Sequence, residues 1–227
     1  MSKQPRIVSI TLARGGSKGV NRKNIADVAG KPLLYYVLEA ARKSKYITDR
    51  YVSTEDSEIK SISESFGAKV IDRPAHLAVD DSKCEAALLH FANQVEFDIL
   101  VFIQTTSPLV KSSDIDKGIE MILNKDYDSV FSSTIETWVP RWIELENNIT
   151  PVDWTPNSRP RRQMMPELLI ENGAFYITTK QKLIKNNLRY SGKIGTVKMP
   201  LMRSFQIDTL EELELISALI KLENNNE

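Results

Sequence analysis

Residues 7–24, IVSITLARGGSKGVNRKN, join a short apolar run to a loop that is rich in glycine and positive charge. The run Ile7–Leu12 is β-branched and almost unbroken, which predicts a buried strand. Glycines in the loop allow several backbone N–H groups to point at one anion, and the basic side chains add charge. The loop matches neither the Walker A pattern nor G-x-G-x-x-G. We therefore favour a polyphosphate-binding loop of another kind over a solvated basic turn.

Strand-like and helix-like segments alternate from this loop to about residue 133. Further strands are predicted at Asp49–Thr54, at Lys69–Asp72 and within residues 98–103 and 127–133, and each is separated from the next by a helical pattern. This alternation predicts an α/β fold with a Rossmann-like, mainly parallel sheet flanked by helices. Such sheets carry their sites at the carboxyl ends of the strands. The polar residues after Ile10, Ile103 and Val130 are therefore expected to share one rim.

Length and composition limit the classes of function. The 227 residues suffice for a single domain, and the 30 basic and 30 acidic residues cancel, so no overall field attracts nucleic acid. The sequence has no apolar run of the roughly 20 residues that a membrane span needs. One cysteine, Cys84, excludes an internal disulfide and fits a reducing cytosol. We expect a cytoplasmic protein with neither a nucleic-acid nor a membrane partner.

The alternation breaks at about residues 135–170. This excursion holds all three tryptophans and five of the ten prolines, and it has no clean period. Its Trp, Met and Pro content is typical of a surface that is buried against a partner. The chain returns to a strand pattern at IENGAFYITT and again at GTVKMP. It ends with a predicted strand that runs into Asp208-Thr209 and a last amphipathic helix.

Six motifs, in order along the chain, carry a family resemblance. LARGGSKGVNRKN resembles the A-R-x-x-S-K-x-x-x-x-K-N signature of the acylneuraminate cytidylyltransferases, also called CMP-sialic acid synthetases. The likeness continues at VSTEDSEI, DRPAHLAVDDS, FIQTTSPLVKSSDID, RRQMMPELLIENGAFYI and QIDTLEELEL. The resemblance implies a nucleotidyltransferase that couples CTP to the anomeric hydroxyl of an acidic nine-carbon sugar, a nonulosonate. It also implies release of pyrophosphate, use of Mg²⁺ or Mn²⁺, and a homodimer.

The resemblance also assigns nucleotide and catalytic residues. The catalytic set that it implies is Arg14, Lys23 and Asp208. The nucleotide-binding set that it implies is Ala13, Arg14, Gly15, Ser17, Lys23, Asn24, Arg73 and Ser82. Cations and N–H donors are the groups that stabilise charge on a leaving pyrophosphate, so the loop residues suit the triphosphate. The resemblance implies that Arg73 and Ser82 read the cytosine.

The sugar-binding residues implied by the resemblance lie in the second half of the chain. They are Gln104, Arg141, Arg162, Gln163, Asn172 and Tyr176. A strand-end glutamine offers an uncharged donor and acceptor to sugar substituents, and an arginine fork matches a carboxylate. The resemblance places the excursion, with Arg162 and Gln163, across a dimer interface at the partner's site. Tyr176 could equally belong to the core.

The metal position departs from the family. Where the family commonly has D-I-D-T, this chain has Gln206-Ile207-Asp208-Thr209. Asp208 is the expected metal ligand, and Gln206 could ligate through its amide oxygen with less charge. Two alternatives stay open: a cytidylyltransferase for the octulosonic acid KDO or its amino variant, and a nucleotide-sugar-binding protein without turnover. The sequence does not identify which nonulosonate is used.

Overall fold

The computed structural model describes residues 4–137 and 139–224. Within these residues the strands are β1 (Ile7–Leu12), β2 (Asp27–Val28), β3 (Lys31–Pro32), β4 (Asp49–Thr54), β5 (Lys69–Asp72), β6 (Ile99–Ile103), β7 (Ser129–Ile135), β8 (Trp142–Leu145), β9 (Asn148–Pro151), β10 (Leu169–Thr179) and β11 (Ile194–Lys198). The α-helices in the same ranges are α1 (Leu33–Arg42), α2 (Ser57–Ser65), α3 (Cys84–Ala92), α4 (Ser112–Leu123), α5 (Lys180–Asn186) and α6 (Leu210–Asn224). No helix in these ranges combines the length and the apolar composition that a membrane span needs.

A seven-stranded sheet forms the centre, in the order β11-β7-β10-β6-β1-β4-β5. β1 pairs in parallel with β4 and β6, β4 pairs in parallel with β5, and β7 pairs in parallel with β11. β10 runs antiparallel between β6 and β7. The predicted mainly parallel sheet flanked by helices is confirmed. The predicted bounds of β1, β4 and β5 agree with the structure.

Helices cover both faces of the sheet, which explains the unbroken apolar strands. On one face, Leu34 of α1, Ile59 of α2 and Ile119 of α4 belong to one buried apolar cluster with strand residues. On the other face, Phe91 of α3 and Leu183 of α5 belong to a second. Helix α6 packs on the short β2–β3 ribbon through a third cluster. The sheet is therefore a rigid layer whose rim can hold a site.

Helix α2 shows how local sequence sets these elements. The Asp56 carboxylate accepts hydrogen bonds from the backbone N–H groups of Glu58 and Ile59, at 3.0 and 2.9 Å, and so caps the helix. The helix is followed by Gly67, whose φ of +73° is left-handed. The chain then enters β5. The predicted helix ending near Gly67 is confirmed.

Two segments differ from the sequence predictions. The excursion contains a β-hairpin, β8 with β9, and two short 3₁₀ turns, none of which the sequence pattern indicated. The predicted strand into Asp208-Thr209 is wrong, because residues 204–209 are irregular. Ile207 N donates to Thr106 O at 2.9 Å, and the Glu212 carboxylate accepts hydrogen bonds from the N–H groups of Asp208 and Thr209. These N–H groups are thus unavailable to a sheet.

The excursion joins β7 to β10, whose register begins with Leu169 opposite Ile135. Its bounds are therefore close to the predicted residues 135–170. Trp138, one of its three tryptophans, lies outside the described residues. The role of the excursion in a dimer, and the treatment of residues 1–227 as one domain, stay predictions.

Candidate active site

A cavity of about 490 Å³ lies at the carboxyl ends of β1 and β6, and it has the size of a small-molecule site. Eight of the residues proposed from sequence line it together: Arg14, Ser17, Lys23, Asn24, Arg73, Ser82, Gln104 and Asp208. The strand ends bring them together because β1 lies between β4 and β6 in the sheet. The residues after Ile10 and Ile103 thus share one rim as expected, whereas no described residue of 131–137 lines the cavity.

The loop after β1 is tied to its neighbouring strands. Ala13 is buried, and its N–H donates to Ser53 O at 3.0 Å, so it continues the strand pairing instead of lining the cavity. Asn24 is also buried; its amide nitrogen donates to Arg14 O at 2.8 Å, and its amide oxygen accepts from Thr105 Oγ1 at 2.5 Å. The amide nitrogen and the amide oxygen of Asn24 therefore connect the loop after β1 to Thr105, which follows β6.

The loop's cations face carboxylates of the same chain. The Arg14 guanidinium lies 2.6 Å from Asp80 Oδ1, and Lys18 Nζ lies 2.8 Å from Asp80 Oδ2. Lys18, and then Arg14, hold the pKa of Asp80 below its ordinary value by hydrogen bonding and charge. Lys23 Nζ lies 2.8 Å from Asp208 Oδ1. An anionic ligand would thus meet cations that are already gathered but partly neutralised.

Two other groups of the loop have partners outside the cavity. The Gly15 N–H, which was predicted to face a phosphate, donates to Glu55 Oε1 at 2.7 Å. Arg22 lies 2.9 Å from both Asp56 Oδ1 and Glu58 Oε2. Neither Gly15 nor Arg22 is among the residues that line the cavity. Of the cations in this loop, Arg14, Lys18 and Lys23 are therefore the ones that line the cavity.

Arg73 supplies a buried cation to the same cavity. It is 7% exposed, and its guanidinium donates to the Ser53 hydroxyl at 3.1 Å and to the Ser53 carbonyl. Burial lowers the pKa of Arg73, since desolvation disfavours the charged form. The pairing with uncharged groups of Ser53 leaves its charge uncompensated by a hydrogen-bonded carboxylate. Ser82 lies nearby in the same lining.

The predicted sugar residues separate into three groups. Gln104 lines the cavity, and its backbone N–H donates to Ala174 O of β10 at 3.1 Å. Asn172 is buried behind it and donates to Ser204 Oγ at 2.9 Å. Tyr176 is 4% exposed and packs in the core beside Phe102, with its hydroxyl bound to Glu171. Burial, and secondarily Glu171, raise the pKa of the Tyr176 phenol.

The third group lies on the excursion, away from the cavity lining. Arg141 pairs with Asp153 at 3.2 Å, and Arg162 donates to Thr137 Oγ1 at 3.3 Å. Gln163 is exposed. The structure does not bring these three residues to the cavity of their own chain. Their predicted sugar contacts would have to come from another copy.

Asp208 is the carboxylate of the predicted metal position that lines the cavity. Gln206 points elsewhere: its amide nitrogen donates to Asn172 O at 2.6 Å, and it is not among the lining residues. Within residues 4–137 and 139–224, no group of three or more His, Cys, Asp or Glu side chains is arranged to hold a metal ion. A cation held by Asp208 would therefore need further oxygens, from a ligand or from water.

The family is identified by a match along nearly the whole chain. The family model described as cytidylyltransferase matches residues 8–226. The chain belongs to the cytidylyltransferase family. This confirms the resemblance carried by the loop after β1 and the five later motifs.

Relatives of this chain include vertebrate and bacterial proteins. The chain is 36% identical to N-acylneuraminate cytidylyltransferase A of Danio rerio over 211 residues, which are 91% of this chain and 49% of that protein. It is 28% identical to the pseudaminic acid cytidylyltransferase of Campylobacter jejuni over 226 residues, which are 96% of this chain and 97% of that protein. The chain thus spans about half the length of the vertebrate relative.

Two solved structures share the fold. CMP:2-keto-3-deoxy-manno-octonic acid synthetase, complexed with CTP, superposes with a TM-score of 0.73 at 19% identity and covers 96% of this chain and 99% of that one. The 4-diphosphocytidyl-2C-methyl-D-erythritol synthase of Anaerococcus prevotii has a TM-score of 0.66 at 14% identity, with 96% and 97% covered. At these identities the likeness concerns the fold.

Several residues that line the cavity were not predicted from the sequence. Asp80, Lys83 and Thr105 line the cavity, and so does Cys84, which also packs against the second apolar cluster. Asp80 and Thr105 act on the loop after β1 through contacts across the sheet rim. No periodicity or spacing within the chain indicates such contacts. The signal that could have indicated Asp80 and Thr105 is their position in the family motifs DRPAHLAVDDS and QTTSP.

Proposed function

We propose that the chain is a cytidylyltransferase that transfers CMP from CTP to the anomeric hydroxyl of an acidic nonulosonate. The supporting observation is the single cavity that gathers loop cations, Arg73 with Ser82, and Gln104 at the carboxyl edge of the sheet. A triphosphate, a base and a sugar each need a different part of such a lining. Family membership and the names of the relatives support the same chemistry.

The reaction is a phosphoryl-group substitution. The anomeric oxygen attacks the α-phosphorus of CTP, the bond from that phosphorus to the bridging oxygen breaks, and pyrophosphate leaves with the electron pair. The hydroxyl proton passes to water. Negative charge grows on the leaving group, so fixed cations accelerate the step. We assign Arg14 and Lys23 to that charge, and Ser17 to a phosphate oxygen.

The remaining nucleotide and sugar contacts follow from position. We assign Arg73 and Ser82 to the cytosine, since both line the cavity and the family resemblance gives them that role. Gln104 is assigned to an uncharged substituent of the sugar. Arg162 and Gln163 are assigned to the sugar carboxylate in the site of a second copy, because they lie outside the cavity of their own chain. This assignment requires the proposed homodimer.

Mg²⁺ fits this site with Asp208 as its protein ligand. Mg²⁺ commonly takes one or two carboxylates together with substrate phosphates and water, and Asp208 is 61% exposed at the cavity. When bound, Mg²⁺ would neutralise phosphate charge. Gln206 would join it through its amide oxygen, since its amide nitrogen is the atom that donates to the Asn172 carbonyl. Mn²⁺ has similar ligand preferences.

We propose a cytoplasmic location, because the chain has a single cysteine and a reducing compartment suits a protein without disulfides.

The test is a pyrophosphate-release assay with CTP, Mg²⁺ and a panel of acidic sugars. The panel contains neuraminic, legionaminic and pseudaminic acids, and KDO as the alternative acceptor. We expect turnover with at least one nonulosonate and a higher kcat/KM for it than for KDO. Preference for KDO would replace the nonulosonate assignment. Clear CTP binding without turnover on any sugar would favour the nucleotide-sugar-binding alternative.

A further inference from the structure

Asp80 forms two ion pairs inside the nucleotide cavity. Its Oδ1 lies 2.6 Å from the Arg14 guanidinium, and its Oδ2 lies 2.8 Å from Lys18 Nζ. One carboxylate thus bridges two loop cations in the way a phosphate would, with one oxygen to each. Arg14 is the cation that the proposed function assigns to the triphosphate. Asp80 therefore occupies part of the position that the ligand needs.

The segment that carries Asp80 is also part of the cavity wall. Leu77, Val79, Asp80 and Ser82 all line it. Arg14 makes a second contact with this segment, a 3.4 Å hydrogen bond to Ala78 O. The segment folds back on itself through Ser82 N, which donates to Val79 O at 3.2 Å. Contact between Arg14 and residues 78–82 thus links the phosphate side of the cavity to the proposed cytosine side.

We propose that Asp80 is a positioning residue that takes the place of a ligand phosphate until the nucleotide binds. The carboxylate keeps Arg14 and Lys18 together in the absence of ligand, and the triphosphate then displaces it. The proposal rests on the proposed function, because it requires Arg14 to bind the triphosphate. Beyond the proposed function, Asp80 competes with the ligand for Arg14 and Lys18. Arg14 is also coupled to the segment that contains Ser82.

The charges and exposures allow this exchange. Asp80 is 42% exposed and Lys18 is 81% exposed, so their pairs are screened by water and are weak. Pyrophosphate and triphosphate carry several charges and can contact both cations at once. Displacing the Asp80 carboxylate therefore costs little free energy, but this free energy is subtracted from that of ligand binding. Removing the Asp80 charge should then strengthen binding.

The test is the affinity for inorganic pyrophosphate and for CTP, measured by titration calorimetry on the full chain. Asp80→Asn should lower the Kd for pyrophosphate by about three- to tenfold, as expected for the loss of weak competing ion pairs. Asp80→Glu, which keeps the charge, should remain close to the unmodified protein. The matched control is Asp126→Asn, which removes an exposed carboxylate at the α4–β7 turn, away from the cavity lining.

A double-mutant cycle separates local competition from a general charge effect. In a Lys18→Ala background the gain from Asp80→Asn should shrink, because one of the two competing pairs is already absent. A gain of equal size in both backgrounds, or an Asp80→Asn variant that binds pyrophosphate no better or more weakly, overturns the proposal.

The same titrations separate this proposal from the proposed function. An unmodified protein that binds CTP, with no gain in Asp80→Asn, overturns only the role of Asp80. Failure of both proteins to bind CTP and pyrophosphate overturns the two proposals together. Binding that appears only in Asp80→Asn supports the competition.

Discussion

Lys23 illustrates how a catalytic assignment depends on one side chain's surroundings. Its side chain is 16% exposed, it lines the cavity, and its Nζ lies 2.8 Å from Asp208 Oδ1. A cation held in this position is preorganised, so little reorganisation is needed when charge develops on a phosphate. The pair also implies that Lys23 and a metal ion would share the Asp208 carboxylate between them.

Replacing Lys23 tests this assignment. Lys23→Met should lower kcat by about 10²- to 10³-fold, the range for losing one preorganised group that stabilises charge. The measurement is steady-state pyrophosphate release. Lys60→Met is the control, since Lys60 lies on α2, pairs with Asp72 and is outside the cavity lining. A Lys23→Met variant with unchanged kcat would remove Lys23 from the catalytic set.

Asp56 has a measurable role in stability. It caps α2 and pairs with Arg22, and Arg22, followed by the Ile59 N–H, holds the pKa of Asp56 below its ordinary value of 3.8. The folded state therefore favours the charged carboxylate. Its contribution is fully present above pH 3.8 and is lost as the pH falls through the lowered pKa.

We expect Asp56→Ala to lower the free energy of unfolding by about 1–2 kcal/mol at pH 7, because the cap is lost. Asp56→Asn keeps a capping oxygen and should cost less. The difference between the unmodified protein and Asp56→Asn should shrink below pH 3.8. Urea unfolding between pH 7 and pH 3 measures it. A difference that is constant over this range would exclude the carboxylate charge as its cause.

At the scale of elements, the loop after β1 is shaped by close backbone packing. A Cβ on Gly19 would lie 2.0 Å from the backbone oxygen of Asp208, far inside contact distance. A Cβ on Gly16 would meet nothing within 4 Å. The loop and residues 204–209 therefore fit together only when position 19 lacks a side chain. This packing sets the distance between Lys23 and Asp208.

The two glycines offer a matched pair of variants. Gly19→Ala should lower both the affinity for CTP and the melting temperature, since the loop or the Asp208 segment must move. Gly16→Ala should leave both nearly unchanged. Calorimetric titration and thermal unfolding measure them. Equal behaviour of the two variants would show that the contact between Gly19 and the Asp208 backbone does not shape the site.

For the whole molecule, the excursion exposes unusual apolar area. Trp142 is 52% exposed, Leu145 is 60%, Ile149 is 61% and Met164 is 77%. Exposed apolar side chains concentrated in one segment are typical of a binding surface. The proposed homodimer would cover them and would carry Arg162 toward a neighbouring cavity.

Light scattering should therefore give twice the mass of one chain. Ile149→Asp should shift the population toward monomer, because a charge would be buried at the interface. Leu188→Asp is the control, since Leu188 is 48% exposed but lies after α5, outside the excursion. We also expect lower turnover in the Ile149→Asp protein. A monomeric but fully active protein would contradict the assignment of Arg162 and Gln163 to a neighbour's site.

Local patterns sufficed for much of the fold and for part of the site. A β-branched run predicts β1, an aspartate cap and a left-handed glycine delimit α2, and the alternation of elements predicts the parallel sheet. The family motifs located eight residues of the cavity lining. The predicted strand before α6 is absent from the described residues, because the Glu212 carboxylate accepts hydrogen bonds from the N–H groups that a strand would pair. Glu212 lies in the first turn of α6, and its hydrogen bonds to these N–H groups replace the strand pairing that the local pattern predicted.

The sequence by itself determined most elements of the central sheet and indicated the family, since both depend on residues that are close together or on the order of motifs along the chain. Only the tertiary structure decided the partners of the loop. Gly15 meets Glu55 from 40 residues away, and Lys23 meets Asp208 from 185 residues away. Such pairs exist because β1 lies between β4 and β6 and because residues 204–209 pack on the loop. Strand order and packing are global properties, and no local pattern encodes them.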